Sequence, residues 1–178
     1  MSDSALVLTY HSISDAPGPT SISPATFAMQ METLVRCGYT SARVEEFLGW
    51  HQGKGGMARK VLITFDDAFA DFAETAVPIL KRHGLTALMF VPTRKLGGVE
   101  DWYTNPPTNR PLMRREQIIA LAAEGMEFGA HGRTHCPLPS VSDDARADEI
   151  AGSGADLAEW LGAPPTAFAA PYGAVDTN

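Results

Sequence analysis

The stretch "KVLITFDD", residues 60–67, decides the fold. Its apolar residues, Val61 to Ile63 and Phe65, form a short run that is typical of a strand buried in a parallel sheet. Two adjacent carboxylates, Asp66 and Asp67, follow this run directly. Two negative charges at the end of a buried strand repel each other, so the pair requires a structural or a chemical reason.

Short apolar runs alternate with amphipathic segments on both sides of this strand. We predict strands at 5–11, 60–65, 86–92, 126–131 and 167–173, and helices at 23–38, 44–52, 71–84, 114–125 and 143–162. The first strand, like that at 60–65, is expected to be buried. Strands that alternate with helices indicate a parallel α/β sheet, open or closed into a barrel. Pro78 predicts a kink or a later start for its helix, and residues 97–111 predict a long, functional loop.

The composition limits the classes of protein that remain. With 178 residues and a hydrophobic content of 44%, the chain is expected to form a single domain over residues 1–178. A net charge of -7 disfavours nucleic acid and anionic membranes as partners. No signal peptide and no run of about 18 apolar residues is present, so we expect a cytoplasmic chain without membrane insertion. A trimmed signal peptide would instead make it secreted or periplasmic, and the oligomeric state is left open.

The predicted strand ends carry the polar residues from which a site could form, because ligand sites of parallel α/β folds lie there. His131 and His135 are four residues apart in "HGRTH", a spacing that on a helical turn points both imidazoles the same way. With Asp67 they make a two-histidine, one-carboxylate set, which holds zinc in hydrolytic sites and iron in oxygenases. A cation bound by Asp67 would offset the paired charge and leave Asp66 free as a general base.

Each of these signals also has a simpler interpretation. An Asp-Asp pair after a strand is commonly a helix N-cap followed by a first-turn acid. A His-x-x-x-His spacing often occurs as a surface pair. The two signals together, each at a predicted strand end of one alternating α/β chain, are more specific than either alone.

Three motifs carry a family resemblance: "TFDD" at 64–67, "HGRTH" at 131–135 and "APYG" at 170–173. In order and spacing they resemble the polysaccharide deacetylases, the NodB homology domain of carbohydrate esterase family 4. These enzymes remove N- or O-acetyl groups from chitin, chitooligosaccharides, peptidoglycan, poly-N-acetylglucosamine and xylan. The resemblance covers almost the whole chain, including "LTYHSI" at 8–13.

This resemblance implies a distorted (β/α) barrel and a catalytic centre. A divalent metal, Zn²⁺ in the first place with Co²⁺, Ni²⁺ or Fe²⁺ as alternatives, would be held by Asp67, His131 and His135. Asp66 would act as the base, and the backbone N–H of Tyr172 would help to bind the oxyanion. The partner implied is an acetylated oligo- or polysaccharide.

The chain departs from the family pattern in two places. Many members carry Arg, which orients the catalytic base, where this chain has Ala169. The family also continues through a Trp- and Asp-containing motif and a Leu-x-His motif that supplies the general acid, whereas this sequence ends at Asn178. We therefore expect a C-terminally truncated domain that lacks its last strands.

Other residues of the chain could replace the missing general acid or add to the site. His11 ends the first strand, which in a barrel lies near the last, so it is a candidate for the general acid or for a supporting histidine. Trp102 and Tyr103 in the long loop either stack on sugar rings or anchor the loop. Cys136 is interpreted as a small loop residue, because a fourth protein ligand would close the position that catalysis needs.

These residues predict a metal-dependent hydrolase that removes acetyl groups from N- or O-acetylated carbohydrate, with amide hydrolysis preferred. One alternative is a catalytically incomplete carbohydrate-binding or scaffold domain. A second is an amidase that acts on a small cytosolic amide. A third, an iron-dependent oxygenase, is disfavoured because that class usually uses a different fold.

Overall fold

The structure is a computed structural model that describes residues 4–103 and 108–175. Its strands are β1 (Leu6–Tyr10), β2 (Ser12–Ile13), β3 (Ser21–Ile22), β4 (Thr40–Ser41), β5 (Lys60–Phe65), β6 (Leu88–Val91) and β7 (Glu127–Ala130). Its α-helices are α1 (Pro24–Arg36), α2 (Val44–His51), α3 (Val77–Arg82), α4 (Arg115–Ala123), α5 (Asp143–Ala147) and α6 (Ser153–Leu161). The described helices include none that is both long enough and apolar enough to cross a membrane.

The main sheet is parallel throughout and has the order β1-β5-β6-β7, with β4 paired to the start of β5. β5 lies at its centre: Val61–Phe65 pair with β1, and Thr64 and Phe65 pair with β6. Because neighbours flank β5 and helices cover it, Val61–Phe65 are all buried. The prediction of a parallel α/β fold built around this strand is therefore confirmed.

One hydrophobic core joins the sheet to the helices. Its helical contributions come from α1, α3, α4 and α6, through Phe27, Met31, Val77, Ile79, Leu80, Ile118, Leu121 and Leu157. At the end of β5 the ring of Phe65 packs against Phe27 at 5.7 Å and against Phe72 at 4.8 Å between centroids. This aromatic packing fixes the last residue of β5, and hence the backbone position from which Asp66 and Asp67 follow.

Local signals set several helix ends as predicted. Ser23 caps α1 by accepting a hydrogen bond from the Thr26 N–H, and Pro24 occupies the first turn. Pro78 marks a later start: a π-helical turn, Phe72–Ala76, precedes α3, and the proline lies in the first turn of α3. Proline is tolerated there because the first-turn N–H groups have no partner within the helix.

Two strand predictions are corrected. β1 was expected to be buried, but it is an edge strand in the described sheet, with Leu6 and Val7 exposed by 38% and 41%. The predicted strand at 167–173 is reduced to a single bridge between Phe168 and Ala130, followed by a 3₁₀ turn, Pro171–Gly173. Pro171 has no N–H for a ladder, and Tyr172 adopts a left-handed φ of 61°, so the strand cannot continue.

Candidate metal centre

Asp67, His131 and His135 meet at the carboxyl end of the sheet. Asp67 Oδ1 lies 3.4 Å from His131 Nε2 and 3.0 Å from His135 Nε2. The three side chains are only 3–4% exposed, and their ligand atoms all lie within 4.8 Å of one another. Donors about 2.1 Å from a tetrahedral zinc ion are about 3.4 Å apart, so this donor set fits such an ion.

The backbone at this centre is held in uncommon conformations. Asp67, Ala68 and His135 have φ angles of 76°, 59° and 60°, in the left-handed region that non-glycine residues rarely adopt. Such residues cost about 1–3 kcal/mol each and concentrate at functional sites. The segment from His131 to His135 is a loop, so the expectation that a helical turn aligns the two imidazoles is wrong; left-handed Gly132 and His135 reverse the chain instead.

The carboxylate and the imidazoles of this centre stabilise each other's charged forms. Burial alone would raise the pKa of Asp67, but hydrogen bonds from His131 and His135 hold it well below its usual range. Burial alone would lower the pKa of His131, but the hydrogen bond to Asp67 and the charges of Asp66 and Asp67 raise it. The pocket therefore favours positive charge beside the carboxylates, which a bound cation would also provide.

The two histidines differ in how their second ring nitrogen is satisfied. His131 Nδ1 donates to the carbonyl oxygen of Ala169 at 2.9 Å, which directs Nε2 towards Asp67. Ala169, the position where many family members carry Arg, thus serves the centre through its backbone. His135 Nδ1 is buried and has no hydrogen-bond partner in the described part of the chain.

Glu149 holds the loop between the two histidines and was missed by the sequence analysis. Its carboxylate accepts the backbone N–H of Arg133 at 2.6 Å, and the N–H and hydroxyl of Thr134 at 2.9 and 2.7 Å. Glu149 is 6% exposed and lies in a π-helical turn between α5 and α6. The Arg133 side chain extends the network to Asp156 at 2.7 Å. No local signal marks Glu149, because it lies on an otherwise ordinary acidic helix.

Asp66 and His11 lie beside this centre without joining the ligand set. Their side chains are 18% and 29% exposed, and His11 Nε2 lies 3.8 Å from Asp66 Oδ2. Burial raises the pKa of Asp66, although nearby histidines partly offset this. The segment after His11 is fixed by Asp71, which accepts hydrogen bonds from the Ser12 hydroxyl at 2.5 Å and the Ile13 N–H at 3.0 Å.

A cavity of about 280 Å³ brings all six predicted site residues together. Its lining comprises His11, Asp66, Asp67, Trp102, Tyr103, His131, His135, Ala170, Tyr172 and Gly173. Two larger depressions, of about 400 and 470 Å³, lie at the sheet edges, and neither is lined by a histidine or a carboxylate. The candidate ligand group in the described residues does not include Cys136, in keeping with its interpretation as a loop residue.

The 97–111 loop folds back on itself and reaches the cavity. The Glu100 N–H donates to the Arg110 carbonyl at 2.8 Å, and the two side chains form a buried ion pair at 2.7 Å. Within its described part, Trp102 lies against His135 with ring centroids 4.1 Å apart. Residues 104–107 of the predicted loop lie outside the described residues.

Known proteins resemble this chain in sequence and in structure. The chain is 28% identical over 148 residues to YxkH of Bacillus subtilis, a protein named for the polysaccharide deacetylases, and this match covers 83% of the chain. The chain spans about half the length of that relative, 49%.

Solved structures agree with this over nearly the whole chain. The Streptococcus pyogenes deacetylase PplD, solved in complex with acetate, matches with a TM-score of 0.81 and 26% identity over 97% of this chain and 76% of its own. IcaB from Ammonifex degensii matches with a TM-score of 0.81 and 26% identity over 98% of this chain and 77% of its own. These matches confirm the polysaccharide deacetylase type of α/β fold.

The family model for polysaccharide deacetylase matches residues 53–178, more than half of the chain. This range contains the Asp66–Asp67 pair and both histidines of the centre, but it does not include His11. The chain therefore belongs to the polysaccharide deacetylase family.

Proposed function

We propose that the chain is a metal-dependent hydrolase that removes acetyl groups from N- or O-acetylated carbohydrate, with amide hydrolysis as the preferred reaction. One observation carries the proposal: a single cavity contains a three-donor cation site, a carboxylate outside that site and an imidazole beside the carboxylate. Hydrolysis of an acetyl group requires these parts together, because water must be activated and a leaving group protonated.

Asp67, His131 and His135 would hold the metal, and three protein ligands leave a position open for catalysis. When bound there, a divalent cation supplies Lewis-acid chemistry, which polarises a carbonyl and lowers the pKa of water. Two imidazoles and one carboxylate favour Zn²⁺, while Co²⁺, Ni²⁺ and Fe²⁺ accept the same donors.

Asp66 is the general base of the proposed reaction. Its carboxylate faces the cavity, is adjacent in sequence to the ligand Asp67, and is not itself among the ligand atoms that converge. Burial raises its pKa, which strengthens it as a proton acceptor. Asp66 would take the proton of the attacking water.

His11 and Tyr172 complete the proposed chemistry. His11 Nε2 lies 3.8 Å from Asp66 Oδ2 and the His11 side chain is 29% exposed, so the imidazole would give a proton to a leaving amine on the open side of the cavity. The backbone N–H of Tyr172, at the cavity wall, would donate to the acetyl oxygen as negative charge develops on it. Tyr172 has a left-handed φ of 61°, an unfavourable conformation for a non-glycine residue that is found mostly at functional sites.

The experiment measures acetate released by the purified chain, loaded with Zn²⁺ or Co²⁺, from N-acetyl chitooligosaccharides and from acetylated xylan. We expect release that stops with a chelator and returns with added metal. Metal binding without release from any substrate would contradict the proposal and favour a carbohydrate-binding domain. Release from a small acetamide alone would indicate an amidase, and activity that needs oxygen would indicate an oxygenase.

A further inference from the structure

We propose that Trp102 is a positioning residue for His135, so that the described part of the 97–111 loop sets the metal affinity of the centre. This inference rests on the proposed metal site and assigns to that site a residue outside its three ligands. The indole would act on the metal through His135, whose ring it contacts.

The two candidate ligand histidines differ in what holds their rings. A histidine ligand normally donates its second ring N–H to a carboxylate, a carbonyl or water, which fixes the ring. His131 does so through Ala169, whereas His135 Nδ1 is buried without a partner in the described residues. Beyond the contact of its Nε2 with Asp67, the orientation of His135 therefore depends on packing of the ring itself.

Aromatic rings provide that packing on two sides. The indole of Trp102 lies 4.1 Å from the His135 ring, centroid to centroid, at an interplanar angle of 31°. The Tyr172 ring contacts the imidazole edge-to-face at 4.8 Å and 60°. Tyr172 is 56% exposed, so the less exposed Trp102 provides the firmer of the two contacts.

The loop holds Trp102 in place through buried charge. The Arg110 guanidinium donates to both carboxylate oxygens of Glu100, at 2.8 and 2.7 Å, and lies 4.1 Å over the ring of Phe69. Phe69 follows the Asp66–Asp67 pair in sequence, and its ring lies 6.3 Å from Trp102. The loop thus packs against Phe69, two residues after Asp67, and this contact fixes the indole relative to the candidate ligands.

This arrangement separates positioning from sugar stacking, the other role considered for Trp102. The indole face towards His135 is already covered by the imidazole, so removing the indole should act first on the metal. A sugar-stacking residue would instead affect binding of the carbohydrate and leave metal affinity unchanged.

The test compares metal affinity across three variants, measured by competition with a chromogenic chelator. Trp102→Ala is expected to bind Zn²⁺ and Co²⁺ about 10- to 100-fold more weakly, the range found when groups that orient metal ligands are removed. Trp102→Phe keeps a flat ring and should restore most of the affinity. Trp50→Ala is the matched control, because Trp50 lies in α2, whose Glu46 pairs with Lys60 at the opposite end of β5 from Asp66.

The outcomes distinguish this inference from the proposed function. Wild-type affinity in Trp102→Ala, with a raised KM for oligosaccharide, would overturn positioning and favour stacking on sugar. If Trp102→Ala does not fold, Trp102→Leu, which keeps bulk without a flat ring, should still bind metal more weakly than Trp102→Phe; equal affinities would overturn the inference. A folded wild-type chain that binds no metal would overturn the metal site and this inference together.

Discussion

The two sides of the cavity are built differently. The ligand side, formed by Asp67, His131 and His135, is 3–4% exposed and its three groups contact one another directly. On the other side, Asp66 and His11 are 18% and 29% exposed and stand 3.8 Å apart. Metal affinity requires donors fixed in place, whereas proton transfer requires groups that can reach the substrate. Under the proposed function, the buried half would bind the metal and the more exposed half would carry out proton transfer; they are called the rigid side and the open side below.

The largest effect is expected from breaking the rigid side. His131→Ala leaves two protein ligands, which hold zinc poorly, so metal content should fall from about one ion per chain to near zero. Elemental analysis after dialysis measures it, and His83→Ala, at the end of α3, is the control. Unchanged metal content in His131→Ala would exclude this site.

A substitution on the open side of the cavity should lower turnover and leave the bound metal in place. Asp66→Asn keeps shape and removes basicity, so turnover should fall by about 10²- to 10⁴-fold while metal affinity changes little. Asp67→Asn is the matched comparison: it should weaken metal binding, and excess metal should restore part of its activity. If both variants lose metal equally, Asp66 is a ligand and not a free base.

A smaller loss is expected for the proposed general acid. His11→Gln should lower turnover by about 10²-fold with metal content intact, because the leaving group then departs without a positioned proton donor. Steady-state kinetics measures kcat, and His51→Gln, at an exposed histidine of α2, is the control that should keep wild-type turnover. Wild-type kcat in His11→Gln would contradict the role of His11 as the general acid.

The smallest effect should come from the support of the ligand loop. Glu149→Gln retains one good acceptor for the N–H groups of Arg133 and Thr134, so metal affinity should fall by about 10-fold with turnover at saturating metal largely kept. Isothermal titration with Zn²⁺ measures this, with the exposed Glu159→Gln on α6 as control. Equal affinity in both variants would show that Glu149 only packs the loop.

The features that could be predicted from the sequence are those set by residues close together along the chain. The apolar run of β5 predicted a buried strand, and the adjacent Asp66 and Asp67 predicted a site at its end, since both follow from local pattern and sheet geometry. The prediction of a helical turn between His131 and His135 was wrong. Left-handed backbone at Gly132 and His135 connects them instead, and such backbone leaves no periodic pattern in the sequence.

Long-range support could not be predicted in the same way. Glu149 reaches the centre from a segment 14 residues beyond the loop that it contacts, and it follows no motif. Trp102 was expected in the functional loop, but its contact with His135 has no signal in the sequence. The edge position of β1 likewise depends on which strands pair, not on the apolar character of "LVLTY". His11 was expected at the site because the first strand of a barrel lies near the last, but it lies beside Asp66 because β1 pairs with β5, with Tyr10 opposite Phe65.

The Glu149 contact also bears on how the chain folds. The loop between His131 and His135 closes around a carboxylate that lies beyond it in sequence, so we expect the candidate ligands to reach their final arrangement only after the segment from Asp148 to Asp156 has docked. All three candidate ligands are synthesised before that segment. We therefore expect the proposed metal site to form late in folding, and metal that arrives early would meet its ligands before they are assembled.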